Sequence, residues 1–126
     1  GAKHQKTYEL KKNINFLEKK YDKKLIWRKK VNNELKNDYK KIFKLINTLI
    51  FLEVPSFKYV YKWRLLQEKK LELKSSGKKT MSQTQIKNFV MFYERITDTM
   101  LKNLKKESEI IIKIDKKHRL KKIIFN

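Results

Sequence analysis

Thr48-Leu49-Ile50-Phe51-Leu52-Glu53-Val54-Pro55-Ser56 decides the architecture of this chain. A run this short and apolar, stopped by a proline, predicts a buried strand over 48–54. Behind Pro55 the hydrophobic period changes. Phe57, Val60, Tyr61, Leu65 and Leu71 share one face of a helix that continues to about Leu73, with Ser56 placed to cap it. A strand feeding a long helix means an α/β unit.

The same alternation continues downstream. Ser75-Ser76-Gly77-Lys78-Lys79-Thr80 is the clearest loop, and Ser82-Gln83-Thr84-Gln85 fits the capping box that opens a helix over 82–104. Ile86, Phe89, Val90, Tyr93, Met100, Leu101 and Leu104 form its apolar stripe. Glu109 to Ile114 then reads as a β-branched strand, Asp115 to His118 as a turn, and Leu120 to Phe125 as an antiparallel return strand. Upstream, a helical period starts near Ile26 and runs through Trp27, Val31, Leu35, Ile42 and Ile46. The first ~20 residues look polar and irregular, with one apolar cluster at Ile14, Phe16 and Leu17. The expected fold class is α/β, with long helices, one buried strand and a terminal β-hairpin. So few strands make a poor sheet alone, so residues 1–126 are expected to form a single partial domain.

Composition narrows the chemistry. The chain has 126 residues, 34 Lys+Arg against 13 Asp+Glu, and a net charge of +21. Absent cysteine excludes disulfides and thiolate chemistry, and His4 and His118 stand too far apart in sequence to suggest a metal site. No apolar run is long enough to cross a bilayer, and no leader is recognisable, so a cytoplasmic chain with no membrane partner is expected. The positive charge invites a nucleic-acid reading. Against it, only Arg28, Arg64, Arg95 and Arg119 among the 34 cations are Arg, the better fork for phosphates. The aromatics sit on apolar stripes instead of alternating with Lys as stacking platforms require. Lys, Asn, Ile, Phe and Tyr together are the signature of A/T-rich codons, so nucleic acid is not the expected partner.

Three arginines are informative by position. Arg64 and Glu68 fall at the centre of the apolar stripe of the 56–74 helix, where a charge needs a partner or a ligand. Two readings stand there: a mutually satisfied i,i+4 pair, or an Arg held over a cleft to contact phosphate with Glu68 fixing its fork. Arg28 falls inside the stripe of the first helix and reads as a satisfied structural residue. Arg95 lies opposite the stripe of its own helix and, taken alone, reads as a solvated surface group. Gly77-Lys78-Lys79-Thr80 is a decoy for the phosphate loop: Glu72 occupies the first glycine position, Lys79 displaces the Ser/Thr, and a helix precedes it. Neither His has a Ser and carboxylate arrangement that suggests a triad.

Val60-Tyr61-Lys62-Trp63-Arg64-Leu65-Leu66-Gln67-Glu68, then Met81-Ser82, then Phe89-Val90 before Tyr93-Glu94-Arg95, resemble the D-glycerate 3-kinase-like P-loop kinases. That family carries V-Y-x-W-R-x-x-Q-E, G-M-S and F-V-x-x-Y-E-R in this order. Asn15 to Asp22 is similar to its N-A-L-E-x-x-x-D segment, Trp27-Arg28 with Val31-Asn32 to its W-R-x-x-V-N helix, and Leu52 to Phe57 to its L-x-x-P-x-F turn. The hairpin from Ile110 to Phe125 also matches, and Gly1-Ala2 resembles the end of a G-W-C-V-G-A stretch. Thr80 departs from the pattern, standing where the family has Gly.

The resemblance covers nearly the whole chain but only the C-terminal part of the family's sequence, so it implies a fragment of a three-layer α/β/α kinase domain. It implies ATP and Mg²⁺ as cofactors, most of their ligands lying in a missing N-terminal half, and γ-phosphate transfer to a small hydroxy acid such as D-glycerate. Residues 56–74 become a lid-type helix on which Arg64 is the candidate catalytic residue, stabilising phosphate charge. Gln67 and Glu68 orient it, and Tyr93 and Arg95 become candidates for lining the same nucleotide cleft. Trp63, Met81 and Phe89 are expected to pack. The phosphate loop is absent from this sequence, which is expected to be inactive alone. The alternatives are a basic helical nucleic-acid-binding module and a stand-alone interaction module.

Overall fold

A computed structural model describes residues 2–74 and 80–126. Residues 75–79 of the expected 75–80 loop, and with them most of the Gly77-Lys78-Lys79-Thr80 decoy, lie outside the described residues. Among the described residues, six helices and three strands follow in the order α1 (Thr7–Lys11), α2 (Phe16–Tyr21), α3 (Ile26–Lys36), α4 (Asp38–Phe43), β1 (Ile50–Glu53), α5 (Phe57–Lys74), α6 (Gln83–Asn103), β2 (Ile110–Ile114) and β3 (Leu120–Phe125). A single 3₁₀ turn over Leu104–Glu107 links α6 to β2.

The opening segment is helical where irregular chain was expected. Asn15 caps α2 by accepting a hydrogen bond from the Glu18 backbone N–H at 3.0 Å, while the Glu18 carboxylate accepts from the Ile14 N–H at 2.9 Å. This is a capping box displaced by one residue. Asp22 then serves α3, accepting from the N–H groups of Trp27 and Arg28 at 3.0 and 3.1 Å. Leu25 makes the intervening turn at φ 62°, a left-handed conformation that costs a Cβ-bearing residue strain. The long helical period expected from Ile26 to Ile46 breaks at Asn37 (φ −104°, ψ −83°), which leaves Ile42 and Ile46 half exposed on α4 and beyond.

The sheet has the order β1-β2-β3. β1 and β2 run parallel, and β2 and β3 form the expected antiparallel hairpin. One rung, Phe51 beside Ile111 beside Ile124, faces inward onto Leu49, Met100, Leu101 and Leu104, and this is the buried cluster of the C-terminal half. The opposite face repeats the chemistry without the cover. Ile110 stands between Ile50 and Phe125, and Ile112 between Leu52 and Ile123. Ile50, Leu52, Ile123 and Phe125 are all exposed. The strand expected over 48–54 forms over Ile50–Glu53, buried on one face, at Phe51, and open on the other. The described residues form an α/β arrangement with helices on one side of a small sheet.

The Ser82 capping box is present, with Ser82 Oγ accepting from the Gln85 N–H at 3.2 Å and Gln85 Oε1 from the Ser82 N–H at 2.8 Å. α6 is the spine of the molecule. One side of it takes α5 and, through the 3₁₀ turn, the sheet; another takes α2. No helix among the described residues is long and apolar enough to cross a membrane.

Candidate functional site

α5 places Arg64 and Glu68 one turn apart, and both readings left open by their position receive structural content. Glu68 is the buried residue of this helix. Its carboxylate accepts from Arg64 Nη1 and, at 2.7 Å, from the Met81 backbone N–H. Arg64 Nη2 also reaches Met81 Sδ at 3.7 Å, and its Cζ stands 6.0 Å from the Phe89 ring centroid, within cation–π reach. The Met81 N–H and the Arg64 guanidinium together hold the Glu68 carboxyl below the usual carboxylate range. Pairing fixes the plane of the guanidinium without enclosing it, because 26 % of the Arg64 side chain remains exposed.

That exposed part lines open clefts. One of about 550 Å³ is walled by Val60, Trp63, Arg64, Gln67, Lys70 and His118, and an adjoining one of about 260 Å³ adds Glu68 and Lys74. Gln67 is exposed at the rim. Tyr93 is half exposed on α6, its ring 5.2 Å from that of Phe89, so Phe89 bridges Arg64 and Tyr93. The structure therefore brings Arg64, Gln67, Glu68 and Tyr93 into one neighbourhood at the α5–α6 seam.

Arg95 does not join them, and it is not the solvated surface group its helical wheel suggested. It is 9 % exposed. Its Nε and Nη2 donate to the two Glu18 oxygens, each at 2.7 Å. The remaining donors reach Gln5 Oε1 and the carbonyls of Glu9 and Lys12 at 3.3, 3.1 and 2.6 Å. The side of α6 opposite the sheet is covered by the N-terminal helices, so an arginine there clasps them. Arg28 completes the network as the expected structural residue, donating through Nε to Asp22 at 2.8 Å and lying 3.5 Å from Glu18. Burial alone would raise the Asp22 carboxyl, but the Arg28 guanidinium and the two helix N–H groups outweigh it and hold Asp22 low. At Glu94 burial dominates instead. With Asp98 and Glu18 adding repulsion against the single Asn15 hydrogen bond, its carboxyl is pushed up.

Sequence reasoning missed two features near Arg64. The first is a stack: the Trp63 and His118 rings lie 4.2 Å apart at 17°, tying α5 to the hairpin turn. The second is a cleft of about 580 Å³ beside that turn, where the ends of β1 and β2 meet a group of cations. Both arise from contacts across some fifty residues of sequence, which no local pattern carries. Among the described residues no group of three or more His, Asp or Glu is placed to hold a metal ion.

With this geometry in place, the chain can be set beside known proteins. It is 42% identical over 69 residues to "Uncharacterized kinase mug58" of Schizosaccharomyces pombe, a match covering 55% of this chain and 23% of that protein. The matched segment thus spans about a quarter of that relative's length, and the likeness is to a protein named as a kinase. No protein-family profile matches the chain, and no solved structure gives a significant match.

Proposed function

We propose that this chain is the C-terminal part of an ATP-dependent small-molecule kinase of the D-glycerate 3-kinase-like P-loop type, acting on a small hydroxy acid such as D-glycerate. The observation that carries the reading is Arg64. It is held in orientation by Glu68 and Met81 at the edge of an open cleft, on a helix similar in sequence to the lid-type helix of those kinases. Likeness to a kinase-named protein supports it independently.

Phosphoryl transfer depends on positioning and on neutralising charge spread over the transferred group. Arg64 suits the second task, because a bidentate cation whose plane is set in advance need not reorganise as charge develops. Lys70 adds charge to the same cleft, and Gln67 offers its rim an amide. Tyr93 lies outside the cleft lining and reaches Arg64 only through the Phe89 ring. Arg95 contributes at a distance, by fixing α6 against the N-terminal helices. ATP, when bound, supplies the phosphoryl group. Mg²⁺ finds no carboxylate cluster among the described residues, and its ligands are assigned to the rest of the kinase domain.

The open sheet face fits the same picture. All-parallel sheets occur almost only with both faces covered, and β1 and β2 pair in parallel. The apolar face of Ile50, Leu52, Ile112, Ile123 and Phe125 is accordingly assigned to the N-terminal half of the kinase domain, which completes the third layer and brings the phosphate loop. An assay of the complete protein with ATP, Mg²⁺ and D-glycerate tests this reading. Phosphoglycerate formation that collapses in Arg64→Ala is the expected result. Turnover unaffected by that substitution, or no transfer to any hydroxy acid offered, would overturn it.

A further inference from the structure

Trp63 immediately precedes Arg64 on α5, and its half-buried indole lies nearly flat on the His118 imidazole, 4.2 Å away at 17°. The turn between β2 and β3 holds His118 in place. Its N–H donates to the Asp115 carbonyl at 3.0 Å, and Asp115 Oδ1 accepts from the N–H groups of the flanking Lys117 and Arg119 at 2.8 and 2.9 Å. The backbone of His118 is left-handed, with φ 63°. Asn, Asp and His enter that region more readily than other residues that carry a Cβ. Glycine would occupy it without strain, but glycine has no ring. An aromatic side chain kept at such a position points to a role for the ring.

That role follows from how α5 is anchored. At about 100° per residue, Trp63 and Glu68 lie about 140° apart around the helix, and Arg64 falls between them. On the Glu68 side, α5 is fixed to α6 by the Met81 N–H and by the contact of Arg64 with Phe89. A helix held along one line can still roll about it. The Trp63–His118 stack holds a second line, against the hairpin turn, and removes that freedom; stacked rings attract each other beyond the area they bury. A roll of α5 would carry Arg64 along the cleft wall that it shares with Trp63 and His118. We propose that His118 is a positioning residue for phosphoryl transfer: stacked on Trp63, it sets the rotation of α5 and so the place where Arg64 delivers its charge. The role in transfer rests on the kinase reading, whereas the placement of Arg64 is measurable without turnover.

Two substitutions in the complete protein separate the ring from the turn. His118→Asn keeps a residue that tolerates the left-handed turn and removes the ring. His118→Phe keeps a ring for Trp63 and strains the turn. Each loses one of the two, so both should melt lower than the parent by roughly 2–4 °C. Their rates should differ. His118→Asn should lose kcat by roughly tenfold to a hundredfold, the effect of a small misplacement, with KM moving less than about twofold. His118→Phe should recover most of that loss. Equal loss of kcat in both variants, or none in His118→Asn, overturns the assignment. Placement is read separately by NMR of the protein carrying isotope-labelled arginine, with Arg64 identified by the Nε–H signal that Arg64→Lys removes. That signal should shift in His118→Asn and return toward its parent position in His118→Phe, while those of Arg28 and Arg95 stay. An Arg64 signal unmoved by His118→Asn overturns the positioning role whatever the turnover. A protein that transfers no phosphate yet shows the shift supports the placement of Arg64 by His118 and removes only the kinase reading.

Discussion

Arg95 and Glu18, 77 residues apart in sequence, are joined by two hydrogen bonds of 2.7 Å in the interior of the molecule. The pair fastens α2 to α6. With Arg28 and Asp22 it replaces the oily contact usually expected between helices by a network of fixed charges. Such a network is strong only while complete, since removing one member strands a buried charge.

Arg95→Ala should therefore destabilise the fold by about 3–5 kcal/mol. Urea unfolding followed by far-UV circular dichroism measures it. Arg95→Lys should recover little, because a single ammonium cannot span both Glu18 oxygens and the carbonyls of Glu9 and Lys12.

Arg64→Ala should behave in the opposite way. Its side chain is partly in solvent, so the folded state should tolerate its loss better than that of Arg95, while turnover of the complete kinase should fall by roughly 10²- to 10³-fold. Steady-state kinetics beside a urea melt separates the two effects. Equal losses in rate and stability would make Arg64 a structural residue only.

Glu94 should show an inverted pH response. Its carboxyl titrates above its ordinary value in the folded protein. The stability linked to it is fully present below the unfolded value and is lost as pH rises through the folded one. Glu94→Gln mimics the protonated form and should be more stable than the parent near neutral pH, the difference vanishing in acid. Asp22 has the reverse sign, because Arg28 and the α3 N–H groups hold it low. The stability it contributes is present above the unfolded value and lost as pH falls through the folded one, and Asp22→Asn should remove that acid-sensitive part. Melts at several pH values check both.

Ile111→Ala should cost about 2–5 kcal/mol. Ile111 is 2 % exposed and central to the rung that includes Phe51 and Ile124. Leu52→Ala, on the open face of the same sheet, should cost the isolated chain far less, and thermal melts of the two variants compare the faces.

The parts legible in the sequence were those decided locally. Ser82 and Gln85 announce α6, and Ile110 to Ile114 with the Asp115 turn announces the hairpin, because caps and β-branched runs act over a few residues. The Arg64–Glu68 pair was visible as two charges on an apolar stripe. Arg95 was not, because a helical wheel weighs one helix alone and cannot register that a second layer covers its polar side. The Asn15–Glu18 cap was present but was hidden by the lysines around it, and the break at Asn37 has no proline or glycine to mark it. Tyr93 and Gln67 were placed by resemblance, and no local pattern would have singled them out.

Parallel pairing of β1 with β2 also sets an order of events. Phe51 cannot meet Ile111 until the whole stretch carrying α5 and α6 has been made and folded back, whereas β2 and β3 need only close a tight turn. Contacts of such long span form late and slowly, while a hairpin forms within microseconds. During synthesis Phe51 emerges before Ile111 and stays without that partner, its side chain exposed until Ile110 to Ile114 arrives. The segment from Glu53 to Ile110 is therefore the stage of folding most open to chaperones, and a pause in translation within it would prolong that exposure.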